Sequence, residues 1–375
     1  MPGLFDGFTL KQITLRNRIA ASPMCQYQAK DGLITDWHLP HYAALARGGV
    51  GLVVVEATAV SPEGRITPGD LGLWSDAHTK GAAAIAKAIA DAGAVPGIQI
   101  GHAGRKAGCT PPWEGGGPIA SSDPQAWQPI APSAMPLIAE RPHVPREMSL
   151  EDIQRVRQDF ADAARRALAA GFKWLELHFA HGFLAQSFLS THSNRRNDAY
   201  GGSLENRARF LVETVAAVRR VWPAHLPLTL RLGVVEFDGH DEVNLPESIQ
   251  VLQWLQAEGV DLVDVGIGFS TLAPVPWAPN LLVDTAARVA RETGLKTTTS
   301  WLITDAKDAD RAVRESKVDL VMVARRLLDN PHWPRQAARE LGVIEQVLPT
   351  PYAYWLQNWS PQPEPISTES CKELA

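Results

Sequence analysis

Two histidines that follow a run of apolar residues are the side chains in this sequence best suited to chemistry. The run begins at Trp174 and leads into His178 and His181, which are followed at once by Gly182 and Phe183. Two imidazoles in one pocket suit an oxygen that gains negative charge, such as a carbonyl oxygen becoming an enolate. The pair is therefore a candidate site for a polarised carbonyl group.

Two other interpretations of the histidine pair stay open. The His-x-x-His spacing could bind a metal ion with Glu176, or with His38 and His41, although no third ligand recurs at a spacing typical of a catalytic zinc site. The pair could also be ordinary histidines of the core or of a loop. A metal-dependent barrel hydrolase is therefore kept as an alternative function.

A cysteine and a tyrosine lie near the N-terminus, in the segment SPMCQY. Cys25 could act as a nucleophile, but no local signature of a catalytic cysteine surrounds it. A single cysteine near a strand end also serves as a small buried hydrophobic residue. Tyr27, two positions on, would be delivered to the same end of the first strand.

The elements that must position these residues alternate between strand and helix along the whole chain. Short apolar runs that are hydrophobic on both faces predict buried parallel strands. They lie at Arg18–Ala21, Gly51–Val55, Val95–Ile100, Trp174–His178, Leu228–Leu232, Leu262–Gly266, Thr297–Ser300 and Leu320–Ala324. Helical patterns follow them, several ending in Gly. The sequence predicts an α/β fold, a (β/α)8 TIM barrel with its active site at the carboxyl ends of the strands. An open doubly wound sheet is disfavoured because the first strand–helix turn lacks a G-x-G-x-x-G.

Two long connections are expected to surround that site. His102–Glu147, after the third strand, is rich in Pro, Gly and Trp and is predicted to be a capping loop. The Pro-rich stretch Phe269–Pro279 could form another part of the rim. Residues 359–375 are polar and Pro-rich and are predicted to be a disordered tail, which leaves residues 1–358 as one barrel domain.

Barrels often bind a phosphate in the loops after their last two strands. Those loops here contain Ser300 with Trp301 and Ala324 with Arg325. Arg231 and Arg325 could neutralise two negative charges, a phosphate and a reduced ring. Arg325 could instead pair with Asp329 or with solvent.

Composition excludes several classes of function. The 375 residues carry a net charge of −5, so no basic field would attract nucleic acid or acidic lipid. The three cysteines are too few and scattered for a disulfide framework, which favours a reducing cytoplasmic setting. No stretch is apolar for long enough to cross a membrane, and the charged N-terminus is unlike a signal peptide.

Several segments together resemble one known family. The most distinctive is LSTHSNRRNDAYGGSLENRARFLVETV, and LFDGFTLKQITLRNRIAASPMCQY, PGIQIGHAGRKA, PREMSLEDI and DNPHWPRQAARELG add to it. These segments resemble the old yellow enzyme family of FMN-dependent ene-reductases, especially its bacterial xenobiotic-reductase and thermophilic-like branch. The resemblance covers roughly residues 3–358.

The resemblance implies a role for many residues at the strand ends. FMN would lie across the barrel mouth, against Pro23, Met24, Cys25, Ala57, Gln99, Arg231, Ser300, Trp301, Ala324 and Arg325. Gln99 would bond the pyrimidine edge, Arg231 would lie near the N1–C2 carbonyl, and the last four residues of that list would hold the phosphate. Cys25 would tune the flavin potential and would not form a covalent bond.

Other residues would contact the substrate. His178 and His181 would bind its carbonyl oxygen, and Tyr27 would lie over the flavin. Trp301 and Trp355 resemble aromatic walls of the pocket, and Trp355 would come from the second subunit of a homodimer or higher homo-oligomer.

The implied reaction is a hydride transfer from NADPH or NADH to the flavin, and then from flavin N5 to the β-carbon of an activated alkene. Two residues depart from the family pattern: Phe183 stands where a tyrosine usually donates the α-carbon proton, and Ala324 replaces a glycine. Because Phe183 has no O–H, a flavin-dependent isomerase or desaturase is an alternative. A non-catalytic flavin binder is a further one.

Overall fold

The computed structural model describes residues 2–137, 143–315, 317–343 and 348–356. Its strands are β1 Phe8–Leu10, β2 Ile13–Leu15, β3 Ile19–Ala21, β4 Leu52–Ala59, β5 Val95–Gly101, β6 Ile130–Ala131, β7 Arg146–Glu147, β8 Trp174–Phe179, β9 Leu228–Val235, β10 Leu262–Ile267, β11 Lys296–Thr298 and β12 Val321–Val323. Its α-helices are α1 His38–Arg47, α2 Thr79–Asp91, α3 Leu150–Ala169, α4 Leu184–Leu189, α5 Leu204–Arg219, α6 Asp241–Ala257, α7 Val283–Thr293, α8 Ala306–Arg314, α9 Arg325–Asp329, α10 Trp333–Glu340 and α11 Thr350–Leu356.

Eight parallel strands form one sheet in the order β11-β10-β9-β8-β5-β4-β3-β12. The sheet curls until its first and last strands meet, where the backbone N–H groups of Asp319 and Met322 donate to the carbonyls of Thr297 and Thr299 at 2.9 and 3.2 Å. These bonds close the sheet, and the predicted (β/α)8 TIM barrel is confirmed.

The predicted runs coincide with the eight barrel strands. Strands β4 and β9 continue beyond the predicted ends, to Ala59 and Val235, because both are buried along their full length. Strand β11 ends earlier than predicted, at Thr298. The two-sided burial of these strands agrees with a parallel sheet that is covered by helices outside and filled by side chains inside.

Side-chain caps fix the starts of several helices that the sequence predicts. The Ser149 hydroxyl accepts a hydrogen bond from the backbone N–H of Asp152 at 3.1 Å at the start of α3. Asp305 accepts from two backbone N–H groups at the start of α8. Each cap satisfies N–H groups that have no partner within the helix.

Three short helices, α4, α9 and α11, were not predicted. All six residues of α4 are buried, so no polar face marks its sequence as an amphipathic helix. The five residues of α9 are too few to show a helical period. Short elements of this kind are stabilised by tertiary packing, which the local sequence does not display.

The predicted capping loop is present between β5 and α3. It carries 3-10 turns at Gly104–Lys106 and Pro112–Glu114 and the short parallel pair β6–β7. The predicted disordered tail, residues 359–375, lies outside the described residues. Within those residues, no helix combines the length and the apolar character needed to cross a membrane.

Candidate active site

Strand β8 and the turn after it set the positions of the two histidines. His178 is buried on β8, and His181 adopts a left-handed conformation with φ of 62°. The backbone N–H of His181 donates to the carbonyl of Ile267 at 3.2 Å. Gly182 has φ of 69°, and a Cβ there would lie 2.5 Å from the carbonyl oxygen of Phe269. The turn therefore requires glycine at position 182.

Lys106, in the capping loop, holds the same turn from the other side. Its ammonium group donates hydrogen bonds to the carbonyls of His181 at 2.5 Å and Phe269 at 3.1 Å. Burial lowers the pKa of Lys106 to about 8. Lys106 belongs to the segment PGIQIGHAGRKA, but the sequence did not indicate its role. Its partners, His181 and Phe269, lie far along the chain.

The two imidazoles meet edge to face and are both neutral near pH 7. Their centroids lie 4.9 Å apart with the planes at 86°. Burial, followed by the charge of Arg231, lowers the pKa of His178 and of His181 well below its ordinary value. Nδ1 of His178 accepts from the N–H of Ala180 at 3.4 Å, which assigns its proton to Nε2. Nε2 of His181 is buried without a hydrogen-bond partner among the described residues. Both Nε2 atoms are thus available to a ligand.

An aromatic cluster borders the histidines on the side of β10 and β11. The ring of Trp301 lies 5.6 Å from that of His181 and 5.8 Å from that of Phe269. Trp277 approaches Trp301 to 5.6 Å. Phe269 and Trp277 were not singled out as site residues, but both belong to the stretch that the sequence predicts as part of the rim.

Buried charged and polar groups lie beneath the histidines, inside the barrel. The Gln99 amide donates to Glu176 at 2.8 Å, and Nε of Arg231 lies 2.9 Å from Asp264, in contact but not aligned as a hydrogen bond. Arg231 also donates to the Ser300 hydroxyl. Burial raises the pKa of both carboxyl groups. One arginine thus faces two buried acids, and Oε2 of Glu176 has no partner in the described part of the chain.

The segment after β3 brings a second group of predicted residues to the mouth of the barrel. Cys25, which follows Pro23 and Met24, lies beside the Tyr27 side chain and the backbone of Ala57. Burial is the main cause that raises the pKa of both Cys25 and Tyr27 well above the ordinary values. Tyr27 has φ of 54°, a conformation uncommon for a bulky residue and frequent at functional sites.

Two cavities open at this end of the barrel. The first, of about 250 Å³, is called the Phe183 cavity and is lined by residues that include Tyr27, Ile66, Lys106, Cys109 and Phe183. The second, of about 200 Å³, is called the Arg325 cavity and is lined by residues that include Pro23, His181, Arg231, Ser300, Trp301, Ala324 and Arg325. The structure therefore gathers most of the predicted residues around two adjoining spaces.

Trp355 is the predicted site residue that this single chain does not bring to the barrel mouth. It lies on α11 with 77% of its surface exposed, and its ring packs against Tyr354 at 5.1 Å. It lines neither cavity. In the described ranges, no cluster of three or more His, Cys, Asp or Glu side chains is arranged to hold a metal ion.

The profile of the NADH:flavin oxidoreductase / NADH oxidase family matches residues 3–343. The NADPH dehydrogenase of Geobacillus thermodenitrificans (strain NG80-2) is 43% identical over 342 residues, which are 91% of this chain and 95% of that protein.

Solved structures agree with the family match. The old yellow enzyme homologue from Zymomonas mobilis has a TM-score of 0.75 at 26% identity, covering 96% of this chain and 100% of that one. A 2-naphthoyl-CoA reductase has a TM-score of 0.80 at 26% identity, and the match covers 92% of this chain but 53% of the longer reductase.

Proposed function

The chain belongs to the NADH:flavin oxidoreductase / NADH oxidase family, and from this membership we propose that it reduces activated alkenes whose carbonyl oxygen is held by His178 and His181. The enzyme is an NADPH dehydrogenase of old yellow enzyme type, with FMN as its cofactor and NADPH or NADH as hydride donor. The finer assignment, an ene-reductase acting on α,β-unsaturated carbonyl compounds, depends on the chain's own site residues.

The observation that carries this proposal is the neutral histidine pair. Burial keeps both imidazoles uncharged. Nε2 of His178 carries a proton that it can donate, and Nε2 of His181, which has no partner among the described residues, would donate in the tautomer protonated there. Donors that are already oriented stabilise charge developing on a substrate oxygen without having to reorganise. Hydrogen bonds from two such donors would draw electron density toward the carbonyl oxygen. The conjugated β-carbon would then become a better hydride acceptor.

The residues at the barrel mouth fit FMN. Buried polar atoms of Glu176, His181 and Trp301 have no hydrogen-bond partner among the described residues, as expected where a polar heterocycle would complete the pairing. When bound, FMN supplies the two-electron chemistry that takes a hydride from the nicotinamide and delivers it to the alkene.

The same residues suggest how this chain would hold FMN. Gln99 on β5 and Arg231 on β9 lie on the two sides of strand β8, and they would meet the pyrimidine edge. The Arg325 cavity has Arg231 and Arg325 in its lining and would take the phosphate, with the backbone near Ser300, Trp301 and Ala324. Pro23, Met24, Cys25 and Ala57 would pack along the ring system.

The proton for the α-carbon would come from a group other than residue 183. Phe183 has no O–H, whereas Tyr27 lines the same cavity and keeps its proton because burial raises its pKa. Tyr27, or water in the cavity, would serve as the donor. Because the usual acid is missing at Phe183, a flavin-dependent isomerase or desaturase is the second candidate function.

The test is a stopped-flow experiment on the FMN-loaded protein without oxygen. NADPH should bleach the flavin absorbance, and cyclohexenone should restore it with cyclohexanone as the product. Replacement of both histidines (His178→Ala with His181→Ala) should slow reoxidation at least a hundredfold while FMN stays bound. Failure of cyclohexenone to restore the absorbance would exclude ene reduction, and unreduced rearranged product would favour the isomerase.

The assembly and setting are proposed with the same function. Trp355 is exposed in a single chain, which suits a wall of the pocket contributed by the second subunit of a homodimer. Residues 1–358 would form the single catalytic domain. The cytoplasm, where nicotinamide cofactors are regenerated, would be its location.

A further inference from the structure

A third and larger cavity lies directly beside the Phe183 cavity. It has a volume of about 620 Å³, and its lining includes Lys30, Arg65, Gly69 and Trp127. Only a thin wall of chain separates the two spaces, because Ile66 lines the Phe183 cavity whereas its neighbour Arg65 lines the larger one. A Cβ on Gly69 would lie 2.5 Å from the carbonyl oxygen of Tyr27. A long ligand bound at the barrel mouth could therefore extend over this wall.

The guanidinium of Arg65 is held in place on the wall of this cavity. Its central carbon lies 4.8 Å from the ring centroid of Trp127 and 5.5 Å from that of Trp74. Nε donates to the carbonyl of Pro62 at 2.9 Å, and the Trp127 indole N–H donates to the backbone carbonyl of Glu63 at 3.0 Å, which fixes the ring. The side chain is thus oriented before any ligand arrives.

The two terminal nitrogens of Arg65 have no hydrogen-bond partner among the described residues, and no carboxylate there lies within ion-pair distance of them. Asp70 and Asp31 act on Arg65 only through longer-range attraction. A fixed guanidinium with two free nitrogens matches the geometry of a phosphate or carboxylate. Lys30 and Asp31, both exposed, also line this cavity and offset each other in charge, so Arg65 is the cation there that is held in place.

We propose that this cavity binds the phosphate-bearing adenosine end of NADPH, with Arg65 contacting the 2′-phosphate. The inference rests on the proposed function, because the nicotinamide must reach the flavin at the barrel mouth to give its hydride. The adenosine end would then lie away from the flavin, and the Phe183 cavity, at about 250 Å³, is much smaller than the neighbouring cavity of about 620 Å³. The adjoining cavity offers the space. There the 2′-phosphate, which distinguishes NADPH from NADH, would contact the guanidinium of Arg65, whose orientation is fixed by Pro62, Trp74 and Trp127.

The first experiment measures binding to the FMN-loaded protein by calorimetry. Adenosine 2′,5′-bisphosphate should bind at least tenfold more tightly than adenosine 5′-monophosphate, since a hydrogen bond to a charged group contributes about a factor of ten or more. Arg65→Gln should abolish that preference, and Arg65→Lys should retain part of it, because lysine keeps the charge but loses the two-pronged geometry. Arg165→Gln, which changes an exposed arginine on α3, is the matched control and should leave the preference intact.

The second experiment measures steady-state kinetics. In Arg65→Gln the KM for NADPH should rise about tenfold, with little change in the KM for NADH or in the rate at which cyclohexenone reoxidises the reduced enzyme. Equal binding of the two nucleotides by the unaltered protein would overturn the inference without depending on any variant. An undiminished preference in a folded, FMN-loaded Arg65→Gln protein would overturn it as well. The proposed function would survive either result, because flavin reduction and reoxidation are measured separately.

Discussion

Phe183 packs edge-on against His178, with the ring centroids 4.7 Å apart and the planes at 67°. Phe183 also lines the same cavity as Tyr27. The position that would hold a proton donor in the family pattern therefore presents only C–H groups to the substrate. This relationship makes protonation, rather than hydride transfer, the step in which this chain should differ from its relatives.

Phe183→Tyr should place a hydroxyl beside the histidine pair and speed protonation of the substrate. General acid catalysis contributes roughly 10²- to 10⁴-fold, and the gain should fall within that range if protonation limits the oxidative half-reaction. Stopped-flow reoxidation by cyclohexenone in H₂O and D₂O measures the rate and its isotope effect. Phe183→Leu is the control without a hydroxyl. An unchanged rate and unchanged products in the tyrosine variant would show that Phe183 is only a pocket wall.

Lys106→Met should loosen the turn that carries His181. The ammonium group of Lys106 holds the carbonyls of His181 and Phe269, and hydrogen bonds to charged groups contribute about 1.5–3 kcal/mol each. We expect the KM for cyclohexenone to rise about tenfold, with FMN still bound. Lys87→Met, which removes an exposed lysine paired with Asp91, should leave the KM unchanged. An equal KM in both variants would mean that the turn holds its shape without Lys106.

Cys25 should behave as a protonated thiol and not as a nucleophile. Burial raises its pKa well above the ordinary value, and nearby carboxyl groups raise it further. In the FMN-loaded protein at pH 7.5, iodoacetamide should alkylate Cys25 at least tenfold more slowly than N-acetylcysteine, as measured by peptide mass spectrometry. Cys25→Ala should keep the turnover of cyclohexenone within about tenfold. A far larger loss would point to covalent catalysis.

The barrel could be predicted from the sequence because each of its strands is a short, continuous apolar run. The apolar run of β8 is buried on both faces, and His178 stands at its carboxyl end, where a barrel places its chemistry. The family resemblance then supplied roles for residues such as Gln99 and Arg231. Both kinds of information depend on segments that are continuous in the chain.

The parts of the site that could not be predicted depend on contacts between distant segments. Lys106 is separated from His181 by 75 positions, and nothing near Lys106 in the sequence indicates that partner. Arg65 is enclosed by Trp74 and Trp127, which lie in different loops. The sequence also does not predict the left-handed conformation of Tyr27, because backbone propensity disfavours it and only the surrounding structure imposes it.

Glu56→Gln should make the stability of the protein less sensitive to pH. Burial raises the pKa of Glu56 to about 7 from an ordinary value of 4.5. The carboxyl oxygens accept hydrogen bonds from the Tyr42 hydroxyl and from the N–H of Gln26, each at 2.7 Å. A glutamine could keep the bond from Gln26 and donate its amide N–H to the Tyr42 oxygen, so the change is nearly isosteric.

The direction of the effect follows from the raised pKa. The folded protein binds a proton at Glu56 that the unfolded chain has already released, so the stabilisation is complete below about pH 4.5 and is lost as the pH rises through about 7. The loss for this one group is on the order of 3 kcal/mol. Thermal unfolding of the FMN-saturated protein should therefore show a fall in Tm between pH 5.5 and 8 that is smaller in Glu56→Gln. Parallel Tm profiles for the two proteins would mean that Glu56 is already ionised in the fold, stabilised by the hydrogen bonds from Tyr42 and Gln26.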